Sequence, residues 1–114
     1  MGRKKIYNNW NHPQSLVNII ETIISDYPRR DRIVRFSSAS ETVIEEYRRL
    51  NAIIDRAVNE LEPELARIVK CDMIDRIGYD KSRASLCASK STYYNRKRKL
   101  IHDIAVYMCL LDAD

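Results

Sequence analysis

The chain has 114 residues, of which 45% are hydrophobic and 32% are charged, and this balance excludes a disordered segment. No apolar run approaches the roughly 18–20 residues that a membrane span needs, so we expect no membrane contact. With only two glycines and three prolines available for turns, the composition predicts an all-α fold, a small bundle of a few long helices.

Charge is distributed unevenly along the chain, although the net value is only +4. Residues 81–99 hold seven cations and no acid, residues 3–5 hold three more, and the rest of the chain is therefore net acidic. A solvated basic face usually interleaves acids at i,i+4 spacing to relieve repulsion, and this segment has none. The segment favours contact with a polyanion over a merely solvated face. Its cations are Lys81, Arg83, Lys90, Arg96, Lys97, Arg98 and Lys99.

Residues 1–12 form a predicted basic N-terminal arm with the aromatic residues Tyr7 and Trp10. The arm lacks the apolar stretch of a secretory signal. Such an arm can reach into a minor groove, remain disordered or fold onto the core. We favour partial packing through Trp10.

Residues 13–60 are predicted to be the N-terminal helical part. Apolar residues recur at three- and four-residue spacing between Pro13 and Tyr27, which predicts a helix of about four turns. Residues 28–40 are interpreted as a connector. Ser38 and Glu41 have the spacing of a capping box and predict the start of a long amphipathic helix. Its apolar stripe, which fits core packing or a coiled-coil seam, comprises Val43, Tyr47, Leu50, Ile54, Ala57 and Leu61.

Residues 61–114 are predicted to be a helix-turn-helix part, packed with residues 13–60 in one compact domain. Pro63 opens a helix that we expect to end at Gly78. Residues 81–88 leave room for a short helix, and Ser89 is the predicted N-cap of a final helix over about 90–111. The prediction is therefore about five helices, of which the last two are basic.

The last two helices have the order of a helix-turn-helix, in which the first braces against the backbone and the second enters the major groove. On the final helix, one side lies opposite the apolar stripe and is predicted to face base edges. The base-contact candidates on that side are Ser91, Tyr94, Asn95 and Arg98. Asn95 can bond adenine and Arg98 guanine, each through two hydrogen bonds. The candidates for phosphate contact are Lys81, Arg83, Lys90, Thr92, Arg96 and Lys99.

The stretch SKSTYYNRKRKLIHDIA resembles the recognition-helix segment of the last, promoter-binding domain of bacterial sigma factors. It is closer to the ArpU/RinA-like phage transcriptional regulators. The stretch LEPELARIV is similar to the leucine-proline-acid opening of the supporting helix in that sigma-factor domain. Where that family has an Ile-Ala pair on its bracing helix, this chain has Ser82 and Arg83. The resemblance covers about residues 61–105 and implies DNA binding that switches on phage genes. It implies Ser89 as the cap and, as DNA contacts, Ser91, Thr92, Tyr94, Asn95 and Arg98.

The sequence contains no set of residues that indicates catalysis or metal binding. His12 and His102 have no acid or cysteine partner at ligand spacing, and Cys71 and Cys109 lie in apolar stretches typical of a core. There is no phosphate-binding loop and no nucleotide-binding glycine pattern. We therefore expect no enzyme activity, no metal and no cofactor. Three cysteines without C-x-x-C spacing suit reduced thiols in a cytoplasm, which the resemblance makes that of a bacterial host cell.

Two hypotheses of different class remain. The first is a sequence-specific, double-stranded DNA-binding transcriptional regulator of phage or prophage genes, with host RNA polymerase as a further partner and a homodimer as a possible state. The second is a phage DNA-packaging adaptor similar to a small terminase subunit, or an anti-repressor that uses its basic helix on an acidic protein. An adaptor would use the 43–61 stripe as the seam of a ring, so the number of subunits separates the first hypothesis from this one.

Overall fold

Five α-helices and two 3₁₀ turns build residues 12–112, the part of the chain that the computed structural model describes. No β-strand occurs in that range, and the all-α prediction is confirmed. The predictions made for arm residues 1–11 lie outside the described residues. The helices are α1 (Gln14–Ser25), α2 (Tyr27–Phe36), α3 (Glu41–Asn59), α4 (Pro63–Asp75) and α5 (Lys90–Tyr107). Between α4 and α5 lie the 3₁₀ turns Tyr79–Lys81 and Arg83–Leu86. None of the described helices is apolar enough, over sufficient length, to cross a bilayer.

The predicted connector over residues 28–40 is wrong, because most of it is helix α2. Its inward face is built around Arg30, which is only 3% exposed. The guanidinium of Arg30 donates to Asn51 Oδ1 at 2.8 Å and to the carbonyl of Ile23, and it pairs with Asp26 at 3.5 Å. Helix α2 is thus anchored by a buried, hydrogen-bonded cation instead of an apolar stripe. Because hydrophobic periodicity detects only apolar stripes, it did not reveal this helix.

The region between α4 and α5 also differs from the prediction. Helix α4 ends at Asp75, before Gly78, and Arg76 adopts the left-handed conformation with φ of 58°. The short helix predicted over residues 81–88 is replaced by the two 3₁₀ turns. In the second turn Ser82 is itself the cap, and its hydroxyl accepts from the Ala84 backbone N–H at 3.0 Å. Ala84 is the only buried residue of that turn, so too little apolar surface is present to hold a full helix.

Helix α5 begins where the sequence predicts and ends four residues earlier. The Ser89 hydroxyl accepts from the Thr92 backbone N–H at 3.1 Å, which confirms the predicted cap. The helix stops at Tyr107, and Cys109 follows with a positive φ of 61°. The Leu110 N–H donates to the Ala105 carbonyl at 2.8 Å, a bond typical of helix ends that close with a left-handed residue.

One hydrophobic core joins α1, α3, α4 and α5, so residues 13–60 and 61–114 contribute to the same cluster. The stripe on α3 enters this core only in its second half, where Ile54 and Ala57 are buried. Val43 is 37% exposed, and Tyr47 and Leu50 lie outside the cluster. The largest fully buried side chains are Tyr93, Ile20, Ile24, Ile54, Leu100, Ile104 and Val69.

The expectation that Cys71 and Cys109 belong to the core is also wrong, because both are exposed. The rings of His12 and His102 stack on each other with centroids 5.2 Å apart, and His12 Nε2 lies 3.2 Å from His102 Nδ1.

Candidate nucleic-acid interface

Tyr93 fixes the rotation of α5 about its own axis. Its hydroxyl donates to Asp72 Oδ2 of α4 at 2.8 Å, and its ring packs edge-on against Tyr79 with centroids 5.4 Å apart. Burial and the hydrogen bond to Asp72 raise the pKa of the Tyr93 hydroxyl, so it stays protonated and keeps donating at neutral pH. Because Tyr93 points into the core, residues two positions away along α5 point outward.

Two further tyrosine hydroxyls hold the 3₁₀ segment against α5. Tyr79 donates to the Ala88 carbonyl at 2.6 Å, and the hydroxyl of Tyr94 accepts from the Tyr79 backbone N–H at 3.4 Å. The sequence did not reveal these roles for Tyr79 and Asp72. The segment before α5 is therefore held in place by side chains rather than by a helix of its own.

The first turn of α5 is the most open part of the predicted reading surface. Lys90 and Ser91 are exposed, and the turn contains no acid. The free N–H groups and positive dipole end of a helix attract anions, and Lys90 adds a full positive charge. Thr92 is less available to an anion, because its hydroxyl already accepts a hydrogen bond from Ser89 Oγ at 2.9 Å.

The remaining base-contact candidates are arranged less uniformly than the spacing predicts. Tyr94 does not stand outward, because its ring packs against the core cluster and against Tyr93 at 5.1 Å. Asn95 and Arg98 are half-buried, and Arg98 Nη1 donates to Asn95 Oδ1 at 3.2 Å. Arg98 also lines a cleft of about 320 Å³ between α1 and α5, beside Tyr94.

Three members of the four-cation run 96–99 are held by acids of the same chain. Arg96 pairs with Glu62 at the start of α4, Lys97 pairs with Glu21 of α1 at 3.3 Å, and Lys99 pairs with Asp103 at 2.8 Å. These cation side chains are 20%, 27% and 20% exposed. The repulsion expected from the sequence is thus relieved mainly by acids from other helices. Asp103 lies four residues after Lys99, just beyond residues 81–99, so this salt bridge could have been predicted from the sequence.

The other phosphate-contact candidates keep their charges open to solvent. Lys81, Arg83 and Lys90 are exposed, and none of them forms a salt bridge with an acid in residues 12–112. Lys81 and Arg83 line a cleft beside α4 that also contains Asp75, whereas Arg98 lines the cleft beside α1. Lys81 and Arg83 therefore line a different cleft from Arg98. We call Lys81, Arg83, Lys90, Ser91, Asn95 and Arg98 the candidate DNA contacts.

Comparison with family models, curated proteins and solved structures gives no match to this chain. The interpretation of its function therefore depends on the side chains described above. Among the residues that the structure describes, no group of three or more histidine, cysteine, aspartate or glutamate side chains is placed to hold a metal ion.

Proposed function

We propose that this protein is a sequence-specific, double-stranded DNA-binding transcriptional regulator of phage or prophage genes. In this proposal the first half of α5 enters the major groove, which is wide enough for one helix. The observation that carries the proposal is the open first turn of α5, where Lys90 and Ser91 are exposed on a capped helix end without an acid. In this proposal the 3₁₀ turns Tyr79–Lys81 and Arg83–Leu86 take the place of the short bracing helix that the sequence predicts before α5.

Affinity in this proposal comes from the cations that no acid of the described chain holds. Lys81 and Arg83 contact phosphates on one side of the groove, and Lys90 contacts them at the helix start. Arg96 and Lys99 were also candidates for phosphate contact, but both are engaged with carboxylates. They contribute only where phosphate replaces Glu62 or Asp103 as the partner.

Specificity in this proposal comes mainly from Arg98. Arginine can only donate hydrogen bonds, so the Asn95 atom that faces Arg98 must be its oxygen. Reading adenine with two bonds requires both the oxygen and the nitrogen of an asparagine. Because Arg98 already takes one lone pair of that oxygen, the NH₂ group of Asn95 is its freer side for a base contact. The Asn95–Arg98 pair therefore suits the two acceptors of guanine.

The regulatory part of the proposal follows from the resemblance of residues 61–105 to phage regulators. The protein then acts in the cytoplasm of a bacterial host cell. The acidic helices that precede α5 supply the contact with host RNA polymerase.

Selection of bound duplexes from a random pool tests the proposal. We expect enrichment of a short motif that contains guanine, with binding that weakens as salt rises. Recovery of unenriched sequences together with an unchanged affinity at high salt would contradict it.

A packaging adaptor is the second candidate, because the first half of the α3 stripe lies outside the core and is available to other subunits. A ring of many subunits in solution supports that candidate instead.

A further inference from the structure

The first half of α3 and the end of α2 extend beyond the hydrophobic core. From α3 the core cluster takes residues from Ile53 onward, and from α2 it takes only Tyr27. Helix α2 packs mainly against α3 and, less extensively, against α1. We call residues 31–50, the far end of this pair of helices, the hairpin tip.

The hairpin tip concentrates apolar and aromatic side chains that the protein does not bury. Phe36 is 82% exposed and Val43 is 37% exposed. The large apolar and aromatic residues of the tip, none of which is buried or belongs to the core cluster, are Ile33, Val34, Phe36, Val43, Ile44, Tyr47 and Leu50. Exposed apolar residues are ordinary when scattered, but groups of them mark interaction surfaces.

The apolar stripe of α3 explains why this surface suits a partner. Val43 and Leu50 are seven residues apart and lie on the same side of the helix as Ile54 and Ala57. The second half of this side is buried in the core, with Ile54 and Ala57 both 0% exposed. The first half has the same pattern, but it packs only against α2, and Val43 remains 37% exposed. A face with one continuous apolar pattern is thus buried in the core at one end and partly exposed at the other.

The charges of the hairpin favour a second copy of the chain as the partner. Arg29 and Arg30 pair with Asp26, Arg35 with Asp31, and Arg49 with Glu46. The charged residues of the tip outside these salt bridges are Arg32, Arg48, Glu41 and Glu45. Two cations and two acids suit neither a polyanion nor a strongly acidic or basic protein. They suit a second copy of the same surface, turned by a two-fold rotation so that the arginines of one copy lie near the glutamates of the other.

We infer that two copies of this chain pair through their hairpin tips in a two-fold symmetric dimer. Rings require two different complementary surfaces, whereas a two-fold dimer uses one self-complementary surface. Within residues 12–112 the other exposed large apolar residues, Ile19, Leu86 and Leu110, lie in separate parts of the chain. None of the candidate DNA contacts belongs to the hairpin tip, so the dimer and the proposed DNA binding use different residues.

Sedimentation equilibrium of the full chain without DNA tests the dimer. We expect twice the mass of one chain at micromolar concentration, and about a tenfold or greater weakening of association in Phe36→Asp and in Val43→Asp. Leu86→Asp is the matched control, because Leu86 is 88% exposed but lies outside the tip, and it should remain a dimer. Circular dichroism should show that all three variants keep the helical content of the parent.

Mixing of charge-reversed variants tests whether the partner is a second copy. An acidic tip made by Arg32→Glu with Arg48→Glu, and a basic tip made by Glu41→Lys with Glu45→Lys, should each weaken self-association. Mixed in equal amounts, the two variants should form a mixed dimer. A monomeric parent chain, a ring of many subunits, equal dissociation by Leu86→Asp, or no mixed dimer would each overturn the inference.

Discussion

The Tyr93 hydroxyl donates to the Asp72 carboxylate at 2.8 Å, and both residues are buried between α4 and α5. Together with the buried Leu100 and Ile104 of α5, this bond sets which side chains of the helix point outward, so it connects the stability of the fold to the proposed reading surface. It also makes a direct prediction about stability.

Tyr93→Phe should lower the free energy of unfolding by about 1–3 kcal/mol, because it leaves the buried Asp72 carboxylate without this donor. Urea denaturation at neutral pH measures the change. Tyr47→Phe is the control, since the Tyr47 hydroxyl only accepts an exposed bond from Arg29 at 3.3 Å, and it should change stability by less than about 0.5 kcal/mol. Equal losses in the two variants would show that the buried hydrogen bond to Asp72 stabilises the fold no more than the exposed bond of Tyr47.

Stability should fall in alkaline solution because several tyrosines are more acidic in the unfolded chain than in the folded one. Burial raises the pKa of Tyr93 above 10.0, and burial together with a hydrogen bond to Asp55 raises the pKa of Tyr27 to about 12. Below the ordinary value of 10.0 both states hold the proton and the full stability is present. As pH rises above 10.0 the unfolded state loses protons first, and stability declines.

Urea denaturation at neutral pH and above pH 10.0 measures this decline, and Tyr93→Phe should make it shallower. An identical decline in the variant and the parent chain would mean that Tyr93 does not contribute to it.

Cys109→Gly should raise the free energy of unfolding by about 1 kcal/mol, because glycine adopts the left-handed conformation of this position without steric cost. Cys71→Gly is the matched control. Cys71 is also exposed but lies inside α4, where glycine should cost about 1 kcal/mol. Thermal unfolding under reducing conditions measures both changes, which should be opposite in sign. A loss of stability in Cys109→Gly would contradict the backbone assignment.

Glu21→Gln should strengthen binding to DNA of any sequence, because it releases Lys97 from its salt bridge at 3.3 Å. The slope of log affinity against log salt should steepen by about one unit for each cation that reaches a phosphate. Glu46→Gln is the control, since it releases Arg49 in the α3 half of the hairpin. If both variants bind nonspecific DNA like the parent chain, Lys97 does not reach a phosphate even when released.

The elements that the sequence predicts well are those defined by local chemistry. The start of α5 follows from one hydroxyl, that of Ser89, and the N–H groups within three residues of it. Helix α1 and the second half of α3 follow from apolar residues that the core does bury, such as Ile20, Ile24 and Ile54. In each case the residues that form the element are also the residues that reveal it.

The features that the sequence did not reveal depend on partners far along the chain. Helix α2 is held through Arg30, whose partner Asn51 lies 21 residues away. The four-cation run is balanced in part by Glu21 and Glu62, which belong to α1 and to the start of α4. Charge counting within one segment could not include them. Three of the seven cations of residues 81–99 are therefore already engaged, and two of their three acids become visible as partners only in three dimensions.

The most direct test of the proposed function compares two substitutions on two duplexes. After a motif has been selected from a random pool, binding of Arg98→Ala and Lys90→Ala is titrated on the selected duplex and on a scrambled one. Arg98→Ala should lose about 1–3 kcal/mol on the selected duplex and little on the scrambled one, because the proposed function gives Arg98 a base contact. Lys90→Ala should weaken both about equally, because the proposed contact of Lys90 is with phosphate. Identical losses for Arg98→Ala on the two duplexes would contradict the assignment of the outward side of α5 to sequence reading.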